Sequence, residues 1–141
     1  MMITIRPAST DDLTEICAFD HLGQDTERQA YLRHSIQQAQ CHVAVINNAI
    51  VGYVILEYTF FGLGFVSLLY THHEHRRGGI GTRLMQHAED ICTTEKLFTS
   101  TNLTNHPMQN LLARRQYKLS GIIHDLDEGD PELFYVKFLR Q

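Results

Sequence analysis

Ile3 and Ile5 alternate with Thr4 and Arg6 until Pro7 stops the pattern, so the chain opens on a predicted strand. Ser9 or Thr10 can cap a helix there, because Asp11 and Asp12 suit its positive end. Leu13, Ile16 and Cys17 then recur at helical spacing, and Ala30, Tyr31 and His34 repeat it within a second predicted helix over 26–39. Three β-rich runs follow: "CHVAVI" from Cys41, "IVGYVILEYTFF" from Ile50, and "FVSLLYT" from Phe65. The turn "NNA" separates the first two, and Gly62 with Gly64 is read as the second turn. Three strands on short turns predict an antiparallel meander.

The second half reads differently. Ile80, Leu84, Ala88, Ile91 and Cys92 fall on one helical face, which predicts a helix over about 79–94. "KLFTST", Lys96 to Thr101, is a strand after that helix, so it should lie parallel to a neighbour through a crossover. Pro107 suits a helix's first turn, with Met108, Leu111 and Leu112 as its apolar stripe. "YKLSGIIHDL" and "ELFYVKFL" flank the polar turn "DEGDP" and predict a closing hairpin. About seven strands and four helices make a mixed α/β fold, expected as a single domain over 1–141.

Composition narrows the field little. Hydrophobic residues make up 43% and charged residues 20%, as in ordinary globular chains. A net charge of −4 argues against nucleic acid as a partner. No apolar run is long enough to span a membrane, and the first residues carry no secretory pattern. Cys17, Cys41 and Cys92 are widely spaced and odd in number, which predicts a reduced, cytoplasmic protein.

The informative stretch is "HRRGGIGTRL", His75 to Leu84. It puts bare backbone and fixed positive charge where a strand gives way to a helix. The first N–H groups of a helix lack internal acceptors, and the dipole adds positive charge there. Glycines let the backbone approach a ligand, and arginines never titrate away. Such an end is built for a phosphate or pyrophosphate. It is not a P-loop, since the chain has no Gly-Lys pair, and Leu84 stands where the third glycine of the dinucleotide fingerprint belongs.

Arg76-Arg77-Gly78-Gly79-Ile80-Gly81 instead resembles the Gln/Arg-x-x-Gly-x-Gly/Ala pyrophosphate motif of the GNAT N-acetyltransferase superfamily. The order of elements around it resembles that family over essentially the whole chain. So does "NHPMQNLLARRQY", whose Asn105 and Tyr117 fall on the two ends of a second family segment. The resemblance implies acetyl-CoA as co-substrate and a small-molecule or peptide amine as acceptor, with a homodimer as the family-level expectation. It implies that Leu69, Tyr70 and Thr71 lend backbone groups to the pantetheine arm and thioester. Arg76, Arg77, Gly78, Gly79, Ile80, Gly81 and Thr82 would hold the pyrophosphate, and Asn105 would anchor the cofactor.

A lysine-like amine of pKa ~10.4 is mostly protonated at neutral pH, so a base is wanted. Glu57, in the strand beside the predicted cofactor strand, is the candidate; the alternative is a solvent-facing strand residue. The family often supplies a tyrosine acid where this chain has Leu112. That departure keeps a non-catalytic acyl-CoA-binding or sensing domain open as the alternative. A third reading is a protein-interaction domain whose glycine turn is only structural.

Other clusters read both ways. "THHEH", Thr71 to His75, offers three histidines and a glutamate, but neighbours on a loop are expected to diverge, and no metal site is expected. His72 is a secondary candidate base. Asp125, Asp127, Glu128, Asp130 and Glu132 form an acidic hairpin tip that either steers a cation or simply stays solvated. Tyr58, Phe60, Phe61 and Phe65 are core packing, an acceptor wall or a dimer face.

Overall fold

In the computed structural model, which describes residues 2–140, strands and helices alternate as the hydrophobic pattern predicts. The elements are β1 (Thr4–Pro7), a 3-10 turn (Thr10–Asp12), α1 (Leu13–Phe19), α2 (Thr26–Gln37), β2 (Cys41–Ile46), β3 (Ala49–Phe60) and β4 (Leu63–Thr71). A second 3-10 turn (His73–His75) leads to α3 (Ile80–Ile91), β5 (Lys96–Asn102), α4 (His106–Arg114), β6 (Lys118–Ile123) and β7 (Glu132–Phe138). The strand order is β1-β2-β3-β4-β5-β7-β6 in one mixed sheet of seven strands. The expected domain span of 1–141 begins and ends on Met1 and Gln141, which lie outside the described residues.

By internal contacts the chain divides into two units, Met1–Leu56 with Leu68–Ala88, and Glu57–Ser67 with Glu89–Gln141. In the first unit β1 and β2 pair antiparallel, as do β2 and β3. Asn47 and Asn48 take φ of 50° and 67°, the doubly left-handed turn a tight hairpin requires. Ser9 caps the first 3-10 turn through a reciprocal box with Asp12, whose carboxylate also takes two hydrogen bonds from Arg6. The core here joins Ile16, Leu32, Ile36, Cys41, Val43, Ile50, Tyr53 and Ile55, all buried. Ile80, Leu84, Met85 and Ala88 are also buried, along one face of α3.

In the second unit β4 pairs parallel with β5, as a strand–helix–strand crossover demands, and β7 pairs antiparallel with β5 and β6. The closing hairpin therefore inserts its second strand beside β5 and leaves β6 at the edge. The glycine turn is corrected by one residue. Phe61 and Gly62, at φ 54° and 73°, make the turn, while Gly64 lies inside β4. A Cβ on Gly64 would sit 2.5 Å from Cys92 Sγ, so the glycine there serves close packing. Phe60, Phe65, Phe98 and Phe134 form an aromatic cluster, with Phe60 and Phe134 stacked at 5.8 Å. Of the aromatic run, Phe60 and Phe65 are thus packing residues, and Phe61 is exposed.

Candidate functional site

The site is built from the end of β4 upward. Leu69, Tyr70 and Thr71 are its last residues and are half-buried. His72 N–H donates to the Val51 carbonyl at 2.8 Å, which ties the strand end down. The His73–His75 turn follows, with His75 N–H donating to His72 O at 2.8 Å and Gly78 N–H to His75 O at 3.3 Å. Arg77 and Gly79 then take φ of 71° and 81°. Glycine adopts that conformation freely; arginine does so at a cost of about 1–2 kcal/mol.

α3 begins at Ile80, whose side chain is buried and fixes the helix start. Arg83 N–H donates to Gly79 O at 3.0 Å, so Gly79 to Thr82 lead the helix with N–H groups that have no acceptor inside it. A Cβ placed on Gly79 would meet nothing within 4 Å. The open face of this turn therefore presents bare backbone at the positive end of a twelve-residue helix. Arg76 precedes it in the chain. Its Nε donates to Thr71 O at 3.2 Å and its guanidinium lies 5.6 Å from the Tyr70 ring centroid, which leaves the outer nitrogens for an anion. The residues present fit a pyrophosphate.

The histidine run is a correction. One ligand atom from each of His72, His73 and Glu74 lies within 4.8 Å of the others, because the 3-10 turn bends the chain back where an extended loop would splay it. His72 Nδ1 accepts the Glu74 N–H at 3.1 Å. In the neutral ring that acceptor role puts the proton on Nε2, which is then a donor and not a base.

The first unit also holds a buried polar network that pattern reading did not find. Asp20, at the C-terminal cap of α1, accepts from Tyr53 Oη at 2.5 Å, from Arg28 Nη1 at 2.7 Å and from Leu22 N–H at 2.8 Å. Burial alone would raise the Asp20 pKa, but these donors hold it below the ordinary carboxylate value. Burial and the same carboxylate push the Tyr53 phenol far up. Neither group is a spare base. Tyr53 stacks on Tyr70 at 5.9 Å, and Tyr70 Oη accepts from His21 N–H at 2.9 Å. Phe19 and His21 also pack on the Tyr70 ring. The network thus fixes the ring that Arg76 covers. Its members are 8 and 33 residues from Asp20, with no local signal.

In the second unit, Glu57 is half-buried on β3 and accepts the Thr59 hydroxyl at 2.8 Å. Asn105 caps α4, its Oδ1 accepting from Met108 N–H at 3.2 Å. Leu112 is wholly buried. Tyr117 is buried too, and its hydroxyl donates to Glu89 Oε2 at 2.9 Å. Glu89 also binds Arg115 and, at 3.1 Å, Lys137. Burial first, and Glu89 second, push the Tyr117 phenol up. The structure therefore brings Leu69 to Thr71 and Arg76 to Thr82 together within one unit, and carries Glu57 and Asn105 in the other.

Comparison with known proteins bears on the family and the fold. The family model described as Acetyltransferase (GNAT) family matches residues 9–117. A GNAT-family acetyltransferase from Bacillus cereus is 32% identical, with 100% of each chain covered and a TM-score of 0.93. The PaiA N-acetyltransferase of Thermoplasma acidophilum, solved with coenzyme A, is 17% identical, with coverage of 98% and 99% and a TM-score of 0.79. YncA of Salmonella typhimurium, solved with its cofactor acetyl-CoA, is 18% identical, with coverage of 99% and 95% and a TM-score of 0.77. No curated protein matches the chain.

Proposed function

Because this chain belongs to the GNAT acetyltransferase family, we propose that it transfers the acetyl group of acetyl-CoA to an amine by direct attack. The observation that carries the reading is the Gly79 turn, where left-handed backbone at the start of α3 faces open space beside Arg76. Two proteins of the same fold, solved with coenzyme A or acetyl-CoA, support the choice of co-substrate. When bound, acetyl-CoA supplies a thioester carbonyl that an amine can attack. The N–H groups of Gly79 to Thr82, with Arg76 and Arg77, hold the pyrophosphate. The backbone of Leu69, Tyr70 and Thr71 orients the pantetheine arm and the carbonyl oxygen, and one fixed donor there contributes about 3 kcal/mol to the reaction. Asn105 contributes a further cofactor contact.

Glu57 takes the amine proton, directly or through water, against a protonation penalty of about 4 kcal/mol. A covalent acyl-enzyme has no support. Burial raises the Cys41 thiol to about 12 and raises Cys17 as well. Water protonates the departing thiolate, whose pKa of ~8.5 makes it a fair leaving group. The chain acts as one N-acetyltransferase-like domain in a reducing, cytoplasmic setting; its cysteines are all free. A second reading, a non-catalytic acyl-CoA sensor, is favoured by one observation: Leu112 supplies no proton and Tyr117 is tied to Glu89.

The test is the melting temperature with acetyl-CoA, with ATP and NAD as controls. Ligand a hundredfold above Kd contributes about 2.7 kcal/mol, an upward shift of roughly 5 °C or more. A shift with acetyl-CoA alone, reduced in Arg76→Ala, is expected; no shift at saturation overturns both readings. Thiol release across a panel of amines then separates enzyme from sensor. Glu57→Gln is expected to lower turnover about a hundredfold.

A further inference from the structure

The turn between β4 and the glycine loop gathers two imidazoles and a carboxylate. His72, His73 and Glu74 each bring one ligand atom to within 4.8 Å of the other two. The His72 and His73 rings stack at 4.7 Å, and His75 meets the His72 ring edge-on at 5.5 Å. The frame beneath these side chains is tied at several points. His72 N–H donates to the Val51 carbonyl, His75 N–H closes the 3-10 turn on His72 O, and Arg76 Nε returns to Thr71 O. His72 is half-buried, while His73 and Glu74 are exposed. Among the described residues, neither the His73 ring nor the Glu74 carboxylate is spent on a hydrogen bond or an ion pair, although arginines follow at 76 and 77.

We propose that His72, His73 and Glu74 bind one divalent transition-metal ion, such as zinc, with water completing its coordination. The donor set chooses the ion. Two imidazole nitrogens and one carboxylate oxygen suit zinc, copper or nickel. Magnesium and calcium want several oxygens. The turn offers them one carboxylate, and Arg76 and Arg77 repel a cation held by charge alone.

The adjustment needed is small. Bonds of about 2.0 Å in a tetrahedron set neighbouring donors about 3.3 Å apart, so the three atoms close by at most about 1.5 Å. His73 and Glu74, at the surface, can turn to do this. His72 gives up one hydrogen bond. Its Nδ1 accepts the Glu74 N–H at 3.1 Å, and a neutral imidazole has a single acceptor nitrogen. Whichever ring nitrogen takes the ion, that acceptor role ends. The exchange trades a neutral hydrogen bond for a metal–nitrogen bond and leaves its mark on the Glu74 amide. The ion fastens the stretch that runs from Thr71, at the end of β4, to Arg76, at the head of the glycine loop.

Isothermal titration of the metal-free full chain with zinc tests the site, with magnesium and calcium as controls. Acetyl-CoA is absent from every arm, so the result is independent of acetyl transfer. One equivalent of zinc is expected to bind in the micromolar range, and neither control ion should bind. His73→Ala and Glu74→Gln replace exposed side chains, and circular dichroism should show both folded. Each is expected to weaken zinc binding about tenfold or more. Cys17→Ser and His124→Ala, which remove a half-buried thiol and an exposed imidazole elsewhere, should leave it unchanged. In the amide spectrum of the labelled chain, zinc should move the Glu74 resonance. No binding at about 100 μM zinc, an affinity indifferent to His73→Ala and Glu74→Gln, an equal loss in Cys17→Ser or His124→Ala, or a Glu74 amide that stays in place would each overturn the proposal.

Discussion

Gly52 and Tyr70 are in backbone contact: a Cβ on Gly52 would lie 2.9 Å from the Tyr70 carbonyl oxygen. The same Cβ would sit 3.1 Å from Ile80 Cγ2 and 3.2 Å from Leu84 Cδ1. Bare backbone on β3 thus sets how closely the end of β4 and the start of α3 approach it. Gly52→Ala is expected to destabilise by about 1–3 kcal/mol through overpacking. It should also weaken acetyl-CoA binding in protein that remains folded. Denaturant unfolding and ligand titration check the two effects separately.

Tyr53 donates to a carboxylate that carries a half-buried arginine. Tyr53→Phe removes one donor and leaves Asp20 with Arg28 and Leu22, so a loss of about 1–3 kcal/mol is expected. Asp20→Ala takes the carboxylate from Arg28, whose side chain is 14% exposed, and leaves it the neutral Tyr53 hydroxyl at 3.2 Å, so it should cost more, about 3–5 kcal/mol. Urea midpoints rank the two variants. Equal losses would show that the Tyr53 hydroxyl or water serves Arg28 as well as the carboxylate does.

His42 makes the fold sensitive to mild acid. Burial, and then the nearby His87 ring at 4.8 Å, hold its pKa below the ordinary imidazole value, and its buried Nδ1 has no partner among the described residues. The unfolded chain therefore binds this proton more readily than the folded one, and stability rises with pH across the window. The contribution is complete above about pH 6.5 and is lost as pH falls from there toward the lower folded value. Asp20, whose folded pKa is depressed, keeps its contribution until about pH 4. Melting temperature should drop between about pH 7.5 and about pH 5, and His42→Leu should flatten that slope.

Arg77 holds a left-handed conformation that glycine would adopt without strain. Arg77→Gly is expected to leave stability unchanged or raised by up to about 1 kcal/mol, because relief of strain offsets the added chain entropy. The same variant should lower affinity for acetyl-CoA several-fold through loss of a fixed charge. Thermal melts with and without acetyl-CoA report both.

The sequence by itself determined the elements and the character of the loop between β4 and α3. Periods of two and of 3.6 are local, so they survive without knowledge of the fold. They placed the seven strands and four helices of the described residues, and His75 to Leu84 read as a candidate anion site from residue types alone. Residues whose role depends on distant partners were not legible. Gly64 reads as a turn until Cys92 is seen against it, and Asp20 carries no sequence signal until Tyr53 and Arg28 surround it. The histidine run was misread because a 3-10 turn and an extended loop share one composition. Tertiary structure alone decided that β7, not β6, lies beside β5. A hairpin's sequence encodes its turn and its faces; which of its strands joins the sheet depends on what the rest of the chain leaves unpaired.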